Sequence, residues 1–163
     1  MKSLIAAALA AFAFAGMTQA AEMKFPSSEP VASITLPDGW KANETESGME
    51  VSTPDESIYL AVDIAEPKET EQVAKEAIEW LGSEGVTVDP ASQKESQDKI
   101  NGRDIFFLDW KGKDKEGEAS IGLAALVLTA DTVLVLTYWG DPAEEKKNGA
   151  AVLDILKSIK PVE

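Results

Sequence analysis

Val133-Leu134-Val135-Leu136-Thr137-Tyr138-Trp139-Gly140-Asp141-Pro142-Ala143-Glu144 is the stretch that decides the fold. Its first four residues are apolar without alternation. A strand with one wet face alternates apolar and polar residues, whereas a continuous apolar run marks a strand covered on both faces. A helix start follows at once. Asp141 stands at the N-cap, Pro142 at the first helical position and Glu144 where a capping-box partner belongs. Val152, Leu153, Leu156 and Ile159 give this helix an apolar stripe, and Pro161 ends it. Gly149 inside it costs about 1 kcal/mol relative to alanine, which a close helix-to-sheet contact would explain.

Upstream, the chain reads as a strand meander. Residues 118–129 pair with 132–139 across Ala130-Asp131. Residues 103–111 carry Ile105, Phe106, Phe107, Leu108 and Trp110 and return from a polar strand, 93–100, across Asn101-Gly102. That dipeptide is the signal for a two-residue type I′ hairpin. Residues 58–64 alternate, with Ile58, Leu60, Val62 and Ile64 on one face and Tyr59, Ala61 and Asp63 on the other. Short strands at 31–36 and 49–53 precede them, the first closed by Pro37-Asp38-Gly39 ahead of Trp40.

Between the two halves, residues 70–84 form a helix. Val73, Ala74, Ala77, Ile78 and Leu81 make its stripe, and Trp80 beside Leu81 falls in the core. Glu69 and Glu71 sit near its positive end, and Gly82 and Gly85 suit its C-terminus. The predicted class is α+β: an antiparallel β-sheet flanked by helices on both faces, an α/β/α sandwich.

The leader gives the address. Lys2 precedes an apolar run over 4–16, and Thr18-Gln19-Ala20 offers small residues for cleavage. This is the layout of a secretory signal peptide, too short for the roughly 20 residues a membrane span needs. The expected organisation is a signal peptide over 1–20, a flexible polar leader over 21–30 and a single domain over 31–163. The apolar run 121–135 is broken by Gly122 and by 129–132, so it reads as two strands and not as a transmembrane segment.

Composition narrows the chemistry. Without Lys2 the chain has 14 basic residues against 29 acidic ones. Such a charge repels nucleic acid and anionic membrane surfaces and admits cationic ligands, weak divalent-ion binding or a basic protein partner. Cysteine is absent, so there are no disulfides, and a lipid anchor on a cleavage-site cysteine is excluded. With the leader, this predicts a soluble periplasmic protein. Histidine is absent too, which excludes Ser-His-Asp and Cys-His catalysis and the His and Cys ligand sets of zinc, copper and haem.

Ile34-Thr35-Leu36-Pro37-Asp38-Gly39-Trp40, the strand over 133–139 with its Asp-Pro helix, and Ile155-Leu156-Lys157-Ser158-Ile159-Lys160-Pro161 together resemble the PsbP-like superfamily, which includes DcrB-like exported bacterial proteins. The resemblance spans most of 31–161. It implies an α/β/α sandwich and a binding or accessory role, with no functional residue carried over.

Four residues stand out as site candidates. Asp63 and Asp109 lie inside otherwise apolar strands, where neighbouring carboxylates together with Tyr59 would suit acid–base work; exposure or a lysine partner is the plainer reading. Tyr138 and Trp139 beside Gly140 suit a partly exposed contact. The acidic stretch 109–118 has lysines at 111, 113 and 115 where a calcium loop needs oxygen ligands, so it reads as a solvated turn. The expectation is a periplasmic accessory or binding protein without catalysis, cofactor or metal, acting on an envelope protein or a small ligand. The alternatives are a carboxylate-dependent hydrolase or a calcium-dependent envelope protein.

Overall fold

The computed structural model describes residues 20–162, so most of the expected signal peptide lies outside the described residues. The element order is β1 (Ala21–Phe25), β2 (Ala32–Leu36), β3 (Lys41–Glu44), β4 (Gly48–Ser52), β5 (Ile58–Ala65), α1 (Thr70–Ser83), β6 (Thr87–Val88), β7 (Lys94–Ile100), β8 (Arg103–Asp114), β9 (Gly117–Val127), β10 (Val133–Gly140), α2 (Pro142–Ser158) and β11 (Lys160–Pro161). The main sheet runs β3-β4-β5-β10-β9-β8-β6, with β7 also paired to β8. All its pairings are antiparallel. A second sheet has the order β1-β2-β11.

The apolar run that opens the sequence reading lies at the centre. β10 is the middle strand of the main sheet, and Val133 to Thr137 are buried along it. Register sets two faces, because opposed residues share a side. On one face Leu134, Leu136, Leu60, Val62, Leu126 and Ile105 join Ile34 and Leu36 of β2 and Ile155 and Ile159 of α2 in the largest core cluster. Val135, Leu123 and Ala65 belong to a separate cluster, packed with Val73, Ala74, Ala77 and Ile78 of α1. Burying each large side chain contributes roughly 1.5–3 kcal/mol, so α1 and the β2–α2 layer each anchor through a handful of such residues.

The Asn101-Gly102 hairpin forms as expected, with both residues at positive φ (51° and 78°). Asp141 caps α2 by accepting hydrogen bonds from the backbone N–H of Ala143 and Glu144. Only half of the capping box exists. Glu144 turns away to Lys147, and the Asp141 N–H donates to the Ser57 carbonyl.

Three expectations are corrected. The flexible leader is a strand over its first half: β1 pairs with β2 from Ala21↔Leu36 to Phe25↔Ala32. Its polar composition conceals this because Phe25 alone is buried there, while Glu22 faces outward to an ion pair with Lys160. Pro161 does not merely stop α2; the chain turns after Ser158 and Lys160–Pro161 pairs along the other side of β2. Gly149 makes no close contact, since a Cβ built there meets nothing within 4 Å.

Candidate functional site: an acidic cleft with an aromatic floor

Tyr59 of β5 and Trp139 of β10 are opposed in register, so their rings project from the same face near one end of the sheet. Trp80, in the last full turn of α1, lies over them. Its ring centroid is 5.1 Å from that of Tyr59 in a stacked geometry and 6.4 Å from that of Trp139 edge-on, and Tyr59 and Trp139 are 6.0 Å apart. These are the separations at which aromatic pairs attract. All three rings are half-buried, one surface packed and one open to a cleft of about 920 Å³.

The walls of that cleft are acidic. Nine carboxylates line it, among them Glu50, Asp55, Glu84, Asp114, Glu118 and Asp141, against a single ammonium, Lys115. Lys41 pairs with Glu56 and Lys147 with Glu144. The other seven have no ion-pair partner among the described residues. Two rim carboxylates are held firmly ionised. Asp55 accepts from the hydroxyl and N–H of Ser57, and hydrogen bonds from Ser57 and Thr53 bring its pKa down to about 2. Burial pushes Asp114 up, but Trp139 Nε1 donating at 2.9 Å, the N–H groups of Glu116 and Gly117, and nearby Lys115 outweigh it and leave its pKa lowered. The stretch 109–118 is therefore the β8–β9 hairpin, with Asp114 closing its turn and positioning the Trp139 indole.

Beside the cleft lies a smaller, half-open chamber of about 260 Å³ between α1 and strands β4 and β5, with Glu50, Tyr59 and Trp80 lining both. Small residues, Ala61 and Ala77, leave the room. Gly48 lets β4 approach β5 so closely that a Cβ there would sit 1.9 Å from the Val62 carbonyl oxygen. Asp63 lies in this chamber, half-buried, accepting a 2.5 Å hydrogen bond from Ser47 Oγ. Its pKa is raised by burial first and then by Glu50 and Glu76, with Ser47 opposing. The Tyr59 phenol is raised by burial and by Glu50 beside it. Thr137 also lines the chamber, 1% exposed, and its Oγ1 has no hydrogen-bond partner.

The four sequence candidates separate into two pairs. β10 and β9 stand between Asp63 and Asp109, and register puts these carboxylates on opposite faces, so they share no site. Asp63 lies on the side of Tyr59 and Trp139. Asp109 lies on the other side, flanking Gly122 together with Tyr138; a Cβ on Gly122 would be 3.2 Å from Asp109 Oδ1 and 3.6 Å from Tyr138 Cβ. Asp109 is exposed and faces Lys94 across the strands, yet partial desolvation and Glu145 raise its pKa. Tyr138 Oη is buried without a partner, and burial, then Glu145 and Asp141, raise its pKa. Sequence reasoning missed Trp80, Glu50 and Thr137 as site residues. The available signal was the shared parity of Tyr59, Ala61 and Asp63.

Neither a family model nor a curated protein sequence matches the chain. Solved structures do. The cyanobacterial PsbP protein CyanoP of Synechocystis matches with a TM-score of 0.62 at 8% identity, over 94% of this chain and 99% of its own. The fold is PsbP-like. Two further structures share this PsbP-like fold. LpqN, involved in cell envelope biogenesis of Mycobacterium tuberculosis, matches at a TM-score of 0.57 and 12% identity, over 88% of this chain and 91% of its own. The Ran-binding protein Mog1p of Saccharomyces cerevisiae matches at 0.54 and 14%, over 90% and 97%.

Proposed function

We propose that this PsbP-like protein is an exported, non-catalytic binding or accessory protein that takes a cationic partner in the acidic cleft. The observation that carries this reading is the Tyr59–Trp80–Trp139 floor set among nine carboxylates and one lysine. An aromatic face attracts an ammonium or guanidinium group through its quadrupole, by about 0.5–2 kcal/mol. Surrounding carboxylates steer such a group to the site. The fold supports an accessory role by analogy, since the neighbours include a Ran-binding protein and a protein of cell envelope biogenesis. The signal-peptide pattern supports export to the periplasm, and β1 begins at Ala21, directly after the expected cleavage site. The three-layer arrangement belongs to the same proposal; its support is that α1 and α2 contribute to separate core clusters.

Periplasmic extract passed over immobilised protein tests the reading. Wild type is expected to retain a basic component that a Glu84→Gln/Glu118→Gln variant releases at the same salt concentration. Equal retention by both, or turnover of a substrate by the purified protein, would contradict it.

A further inference from the structure

We propose that the chamber beneath α1 is a binding site for a small aliphatic amine, its ammonium group held between Asp63 and Thr137 Oγ1. The inference rests on the cation-binding reading of the outer cleft and goes deeper into it. Thr137 is opposed to Ala61 in register, which makes Asp63 its diagonal neighbour on the adjacent strand. Diagonal pairs lie about 7–8 Å apart along the backbone, a span that one ammonium nitrogen can bridge with hydrogen bonds to both side chains. A buried hydroxyl without a partner is uncommon because its desolvation goes uncompensated. The Thr137 hydroxyl points to a ligand that supplies the missing partner.

The remaining walls set the class. Three carboxylates, Glu50, Asp63 and Glu76, line the chamber, and no lysine or arginine does among the described residues. That excludes an anion. Val73, Ala77, Met49 and the Trp80 ring provide apolar surface, which suits a hydrocarbon chain and offers nothing to a hydrated metal ion. The chamber adjoins the acidic cleft, with Glu50, Tyr59 and Trp80 lining both. A linear diamine can therefore seat one ammonium at Asp63 and Thr137, lay its chain along the aromatic wall, and leave its second ammonium among the outer carboxylates.

Calorimetric titration at neutral pH and low salt tests this with 1,5-diaminopentane, n-pentylamine, 1-pentanol, calcium chloride and Nα-acetyl-lysine methylamide. Saturable binding of the diamine, weaker binding of the monoamine, and none of the alcohol or calcium is expected. Asp63→Asn should weaken diamine binding by about tenfold, and Thr137→Val by a few-fold without lowering Tm. Equal binding of alcohol and amine, binding of calcium alone, binding of the lysine derivative alone, or unchanged affinity in both variants would overturn the proposal. The two readings fail separately. A lysine-rich peptide that binds wild type and is lost in Glu84→Gln/Glu118→Gln, while no amine binds, refutes the chamber and leaves the outer cleft standing. Failure of both probes refutes both.

Discussion

Asp63 links stability to the proposed amine binding through a single side chain. Its carboxyl is raised above its ordinary value by burial and then by Glu50 and Glu76. Ionising it therefore destabilises the native state. The destabilisation is absent below the ordinary carboxylate pKa of about 4, grows as pH rises through the folded-state value, and is complete above that. Asp63→Asn should accordingly raise Tm at pH 7, and the difference from wild type should close as pH falls to about 4, measured by thermal unfolding across that range. A residue that costs stability while lining a chamber is typical of a binding position. The same substitution is expected to stabilise the free protein and weaken amine binding, two effects of opposite sign that a purely structural role would not produce. The residue scale is also where the sequence was least legible. Trp80 read as core because it neighbours Leu81, yet one residue is a rotation of about 100° around a helix. That rotation leaves the ring partly packed against the Leu81 cluster, as the core reading expects, and partly over Tyr59 at the cleft, which it did not foresee. Thr137 gave no signal at all, since a single hydroxyl inside an apolar run looks the same whether it has a partner or not.

At the scale of elements, strong local signals read true and weak ones did not. The continuous apolar run became the central strand, Asn101-Gly102 became a hairpin, and Asp141-Pro142 started α2 as its chemistry requires. Each is decided by backbone geometry or by burial within a few residues. β1, β3 and β11 were illegible because these short strands bury few side chains and are held mainly by backbone pairing with a single neighbour, which leaves no apolar pattern to read. Gly149 is the instructive error. Its presence in α2 looked like a packing requirement, but a Cβ there enters open space. Gly149→Ala should therefore stabilise the protein by about 1 kcal/mol through helix propensity and a less flexible unfolded chain. Chemical denaturation would show a raised midpoint with unchanged slope. A lowered midpoint would mean that the helix packs more tightly there than the geometry indicates.

Viewed whole, the molecule distributes its charge unevenly. The acidic excess was plain from composition, and it argued against nucleic acid as a partner without saying where the negative field concentrates. Folding answers that. The β8–β9 turn, the C-terminal end of α1 and the N-terminal end of α2 come together around three aromatic rings. The convergence was not readable in sequence, because Tyr59, Trp80, Asp114 and Trp139 sit on four different elements and only the register of β5 on β10 aligns the first with the last. The PsbP-like architecture supplies the platform, and the side chains at this end of the sheet supply the acidic, aromatic-floored cleft on which the proposed binding of cations rests. The most direct test is a tryptophan-fluorescence titration of the protein with a lysine-rich peptide at low and at high salt. The account predicts a saturable change in emission from Trp80 and Trp139, with affinity falling steeply as salt screens the carboxylates. The change should be lost in Glu84→Gln/Glu118→Gln. An emission spectrum that does not respond to the cationic peptide at low salt would contradict it.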